Sequence, residues 1–155
     1  MEQITLREED WVVTTDTVMG GVSTLLVSQE YEGLRLQGVL RHDNNGGFVS
    51  ARMKDATISC PQSALGVRAF WKGDERPYRL VLHEKGRRVR EYFDCTLSQY
   101  PSTLLWTNFT HRYRNTSDSE RHFTPHHLSS IGILLSNTHI GPVEFCLERL
   151  EWVLP

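Results

Sequence analysis

Asp16-Thr17-Val18-Met19-Gly20-Gly21-Val22-Ser23 separates two apolar segments, Trp11-Val12-Val13 and residues 22–27. Its Gly pair opens backbone angles closed to other residues, so the chain can turn sharply there or admit a second strand at close range. A second Gly pair stands in Asn44-Asn45-Gly46-Gly47-Phe48, again between strand-like runs. Two such turns with polar residues beside them predict one organised corner of a β domain.

Working outward from this corner, period-2 alternation dominates. Leu34-Arg35-Leu36-Gln37-Gly38-Val39-Leu40 places Leu34 and Leu36 on one face. In Phe48-Val49-Ser50-Ala51-Arg52-Met53, Val49, Ala51 and Met53 share a face opposite Phe48, Ser50 and Arg52. Leu65, Val67, Ala69 and Trp71 form the expected core face of the next strand. Tyr78, Leu80 and Leu82 do the same after the turn Gly73-Asp74-Glu75-Arg76-Pro77. Residues 89–95, 104–109, 130–135 and 143–152 read as further strands, the last with a bulge expected near Arg149. Residues 111–127 are polar and lack a clear period, so a long loop with a short helical turn is expected there. The count is about ten strands with no amphipathic helix, which predicts a β-sandwich or barrel. With no repeat or linker, residues 1–155 read as a single domain.

The apolar content of 39% excludes a disordered chain, and the net charge of -2 removes any general attraction to nucleic acid or anionic membranes. The start of the sequence is acidic and has neither signal-peptide nor transit-peptide character. No apolar run approaches the roughly 20 residues of a membrane span. Cys60, Cys95 and Cys146 are odd in number and widely spaced, as expected of reduced thiols in a cytoplasmic protein. In that compartment the sequons at Asn108 and Asn115 are chance matches.

Four features occur in a fixed order: the stretch from Trp11 to Ser23; Asn45-Gly46-Gly47-Phe48-Val49-Ser50-Ala51-Arg52; Lys72-Gly73-Asp74-Glu75-Arg76-Pro77-Tyr78; and Ile131-Gly132-Ile133-Leu134-Leu135 leading to Gly141-Pro142-Val143-Glu144-Phe145. This order resembles the family of the thirty-kilodalton complex I intermediate-associated protein. The resemblance implies an all-β, galactose-binding-like jelly-roll β-sandwich, similar in shape to carbohydrate-binding modules. It also implies a non-catalytic role like that of the mitochondrial relatives, assembly factors that bind intermediates of NADH:ubiquinone oxidoreductase.

The residues offer two candidate sites. Asp16, Asn45 and Arg52, with Gly20, Gly21, Ser23 and Gly47 around them, form a polar cluster at the two Gly turns. Arg52 can hold a carboxylate through two parallel hydrogen bonds, so an Asp16–Arg52 ion pair is expected. The cluster is either a structural clasp or a partner-binding or ligand-binding edge. Ser23 is expected to bond the nearby backbone. Secondly, Arg68, Phe70, Lys72, Arg79, Val81, His83, Arg90 and Tyr92 are expected to line the second face of one sheet, suited to a sugar or a peptide. Outward Trp71, Tyr92 and Trp106 would favour sugar, and inward packing a protein partner.

No cofactor or metal site is expected. His122, His126 and His127 lie close in sequence, but Pro125 breaks any helix and no fourth ligand is suitably spaced. The basic tip of Lys85, Arg87, Arg88 and Arg90 reads as solvated rather than nucleic-acid binding. Nucleophile, metalloprotease and phosphate-loop motifs are all missing, and the chain reads as a non-enzyme.

Overall fold

The computed structural model describes every residue except Met1, Ala56, Val89, Arg114, Asn115, Ser119 and Glu120. The alternating segments form two antiparallel sheets, a jelly-roll β-sandwich. In the six-stranded sheet the order is β3 (Thr24–Glu30), β4 (Gly33–Leu40), β13 (Gly141–Val153), β6 (Gly66–Gly73) and β9 (Ser102–Leu105). Strand β1 (Gln3–Ile4) also pairs with β13. The seven-stranded sheet runs β11 (Thr116–Asp118), β10 (Thr110–Tyr113), β8 (Glu91–Thr96), β7 (Arg79–Glu84), β12 (Leu128–Ser136), β5 (Phe48–Met53) and β2 (Trp11–Thr15).

The core lies between the sheets, where alternate side chains meet. Leu34, Leu36, Val67, Ala69 and Leu147 come from one sheet; Val49, Ala51, Met53, Leu80, Leu82 and Ile133 come from the other, and all are buried. The valine, leucine, isoleucine and methionine side chains among them each contribute about 1.5–3 kcal/mol by leaving water. Tyr78 packs on Phe145 with ring centroids 4.7 Å apart, and Trp71 stacks on the same ring at 5.8 Å. The expected bulge in β13 is present, as a register shift between Leu147 and Arg149.

Three expectations change. Leu65 is exposed, because β6 begins only at Gly66. The strand expected over 104–109 is the shorter β9, and Trp106 opens a 3-10 turn whose rings pack inward. The expected loop over 111–127 contains strands β10 and β11 besides the expected helical turn, which is a 3-10 turn at Pro125–His127. Its alternation was hidden because polar His111 takes an inward position, edge-on to Phe93 at 5.1 Å and bonded to Glu91 at 2.7 Å.

Candidate functional site

The two Gly turns do meet, and a single carboxylate joins them. After β2 the chain enters a 3-10 turn, Asp16–Met19, capped by Gly20 at φ 88. The turn directs Asp16 into the protein, where it is fully buried. Its Oδ1 accepts the backbone N–H of Ser23 at 2.9 Å. Its Oδ2 accepts the Ser23 hydroxyl at 2.6 Å and the N–H groups of Gly47 at 2.6 Å and Phe48 at 3.3 Å. The Ser23 hydroxyl has one proton, which goes to Asp16; its oxygen accepts the N–H of Arg41 at 2.8 Å. Burial alone would push the Asp16 carboxyl up, but these four donors outweigh it and hold its pKa below the usual value.

The glycines fit this carboxylate closely. A Cβ on Gly21 would stand 2.4 Å from Asp16 Oδ1, and one on Gly46 would stand 2.6 Å from Oδ2. Asn44, rather than Asn45, makes the side-chain link, donating from Nδ2 to the Gly20 carbonyl at 3.0 Å. Asn45 serves through its backbone, at φ 63.

The expected Asp16–Arg52 pair does not form. Strand parity sends Arg52 to the outer face of the seven-stranded sheet, where it pairs with Asp55 at 3.3 Å. Neutral dipoles satisfy Asp16 instead of a cation. The signal available in the sequence was the Gly47-Phe48 pair and Ser23, whose N–H and O–H groups are the donors.

The second candidate face is divided between the two sheets. Arg68, Phe70 and Lys72 lie on β6; Arg79, Val81 and His83 lie on β7, and Tyr92 on β8. Reading successive hairpin strands as neighbours placed them together, but the chain crosses between sheets after β6. Arg90 sits in the exposed turn before β8. On the six-stranded sheet, Phe70 is covered by the Arg149 guanidinium, 3.9 Å from its ring centroid, and charges pair as Arg35–Glu144 and Lys72–Glu148.

On the seven-stranded sheet, Arg79 and Arg112 share one acid. Arg79 donates to Asp94 Oδ2 at 2.8 Å and Arg112 to Oδ1 at 3.1 Å. Arg79 also reaches the Ser136 hydroxyl. Asp94 is 2% exposed although it points away from the core. His83 and Tyr92 lie beside this group, with rings 6.0 Å apart.

A cluster not anticipated from the sequence occupies the turn after β6. Arg76, itself buried, grips both oxygens of Asp74 at 3.1 and 2.9 Å, donates to the His139 carbonyl at 3.1 Å and contacts the Pro142 carbonyl. The Tyr78 hydroxyl donates to Asp74 at 2.8 Å. Burial opposes ionisation of Asp74, but the bonds from Arg76 and Tyr78 prevail and lower its pKa. The alternation of polar types in Asp-Glu-Arg-Pro-Tyr was its one visible trace.

Trp71 and Trp106 both pack inward. Trp71 Nε1 donates to the Gln99 carbonyl at 2.9 Å and Trp106 Nε1 to that of Ala64 at 2.7 Å. Four exposed apolar residues instead lie in or beside the Asp16 turn: Val13, Val18, Met19 and Val22. Val13 and Val18 border a shallow groove that also takes in Thr14, Thr24 and Leu25.

The three cysteines are free and half-buried, and burial pushes Cys60 up to about 11. Among the described residues, no three His, Cys, Asp or Glu side chains converge as a metal site, and no helix is long and apolar enough to cross a membrane.

The sequence profile of the Complex I intermediate-associated protein 30 (CIA30) family matches residues 3–147, nearly the whole chain. The chain belongs to the CIA30 family. A comparison with curated proteins gave no match. Among solved structures, the family 11 carbohydrate-binding module of the cellulosomal cellulase Lic26A-Cel5E of Clostridium thermocellum is similar, with TM-score 0.69 and 12% identity over 99% of this chain and 95% of that one. The Clostridium thermocellum family 11 module in complex with a β-1,3-1,4-mixed-linked tetrasaccharide gives TM-score 0.68 and 13% identity over 98% of this chain and 95% of that one. An agarase is similar over 97% of this chain but only 23% of its own, with TM-score 0.55 and 10% identity. At these identities the likeness is one of fold. It places this CIA30 member among galactose-binding-like jelly rolls.

Proposed function

We propose that this CIA30-family chain is a non-catalytic binding protein that takes a protein partner, as an assembly factor or chaperone for NADH:ubiquinone oxidoreductase. Residues 1–155 act as one domain in the cytoplasm, without a cofactor. The observation that carries this reading is the apolar turn: Val18 is 72% exposed, Met19 58% and Val22 45%, on backbone fixed by the buried Asp16. Exposed apolar side chains grouped on a rigid turn suit a protein partner, which repays their hydration by burying them. The family's name points to the same class of partner.

Affinity capture with tagged protein from extract of its own source, under native conditions, tests the reading. The expected result is recovery of complex I subunits by wild type and their loss with Met19→Asp, which leaves the clasp intact. Capture of no complex I subunit by well-folded protein would overturn the assembly role.

A carbohydrate-binding reading is supported by the shape shared with family 11 modules and by Tyr92 on an outer face. Against it, Trp71 and Trp106 face inward, so neither offers a stacking platform. A glycan array positive for neutral β-glucans would favour this second reading.

A further inference from the structure

The outer face of the seven-stranded sheet has a charge imbalance that the six-stranded sheet lacks. Its described strand residues include three arginines, Arg52, Arg79 and Arg112, and one acid, Asp94. Arg52 is balanced by Asp55 just beyond β5, but that acid is largely exposed and its attraction is screened by water. Arg79 and Arg112 share Asp94, so among the described side chains one positive charge there has no acid of its own. This occurs on a chain whose net charge is -2, so the surplus belongs to this face and not to the whole surface.

The group is built rather than incidental. Asp94 is buried to 2% and takes one guanidinium on each oxygen, which fixes both cations from below. Ser136 braces the far side of Arg79. The Arg112 side chain remains 38% exposed, so it presents charge to solvent from a held position. A guanidinium offers five donors in a planar fork matched to a carboxylate. Val81 is 5% exposed at the centre of the same face, which gives the group an apolar floor.

We propose that Arg79 and Arg112, preorganised by Asp94, form a carboxylate-binding subsite for an acidic segment of the protein partner. A partner Asp or Glu docks against Arg112, completing a chain of two carboxylates and two guanidiniums. This rests on the reading that the partner is a protein, and it names a second contact surface apart from the apolar turn. Neutral glycan would leave the charge uncompensated; an acidic peptide supplies the missing anion.

Fluorescence anisotropy with a short labelled Asp/Ser peptide, against its Asn/Ser counterpart, tests the proposal with the full chain. The acidic peptide is expected to bind, to weaken as salt rises, and to lose about tenfold or more in affinity with Arg112→Glu. Arg112→Gln should fall between them. Arg88→Gln, in the remote basic turn, should bind like wild type, and thermal melts of each variant confirm the fold. Equal binding of both peptides, or unchanged binding by folded Arg112→Glu, overturns the proposal. So does binding of oligogalacturonate in place of the acidic peptide. If Arg112→Glu still captures complex I subunits while Met19→Asp does not, the subsite falls and the assembly role stands. If neither wild type nor variant captures them, the assembly role itself falls.

Discussion

Asp16 Oδ2 accepts the backbone N–H of Gly47 at 2.6 Å, across 31 residues of sequence. That bond ties the turn after β2 to the entry of β5, with Ser23 and Phe48 sharing the same carboxylate. Replacing Asp16 with Ala would leave these buried donors without acceptors, at about 1–3 kcal/mol for an unsatisfied group. Asp16→Ala should therefore lower stability by about 3 kcal/mol before it changes any binding. Urea unfolding measures this; a variant as stable as wild type but unable to bind would make the cluster a contact site instead.

The adjacent glycines should respond differently to alanine. Gly20 has φ 88 but open space around its Cβ position, so Gly20→Ala meets only the left-handed backbone penalty of about 1–2 kcal/mol. Gly21→Ala would press on Asp16 at 2.4 Å and displace the carboxylate. Its cost should be about 3 kcal/mol, near that of removing Asp16. Equal melting temperatures for the two variants would contradict this.

Acid should weaken the fold through Asp16, Asp74 and Glu91. Burial opposes ionisation of each, and hydrogen bonds and cations outweigh it, holding all three below their ordinary values. A depressed carboxyl contributes stability that is complete above its unfolded pKa, about 4, and is lost as pH falls through the folded value. Melting temperature should thus be level near neutrality and decline below about pH 4. The gap between wild type and Asp16→Asn should narrow over that same range. A constant gap down to strong acid would remove Asp16 as a contributor.

Arg76→Ala should be clearly destabilising. It empties a buried position and removes the bonds to Asp74 and the His139 carbonyl, but the Asp74 side chain is 31% exposed and keeps the Tyr78 hydroxyl, so the cost should be about 1–3 kcal/mol. Arg76→Lys should recover only part of this, since an ammonium cannot hold both Asp74 oxygens in the fork geometry. Denaturant midpoints for the two variants would rank them.

Alternation was legible wherever one strand face was apolar throughout, as in β4 and β5. It was obscured in β10, where His111 fills an inward position through its bond to Glu91. The Asp16 clasp was visible as an acid followed by two Gly pairs. Its chemistry was misread because charge pairing attracts notice more readily than backbone N–H donors do. Strand parity within 48–53 already turned Arg52 away from Val49 and Ala51, which was the evidence against the pair. The division of the second face was not legible, because local alternation says which residues share a strand face but not which sheet a strand joins.

Strand β13 pairs with β1, β4 and β6, all made earlier in synthesis. On a ribosome, the strands β4 and β6 would wait for a neighbour that emerges only with residues 141–153. Half of the sandwich then closes only once that strand has emerged, and until then its apolar faces are exposed to whatever else in the cell can cover them.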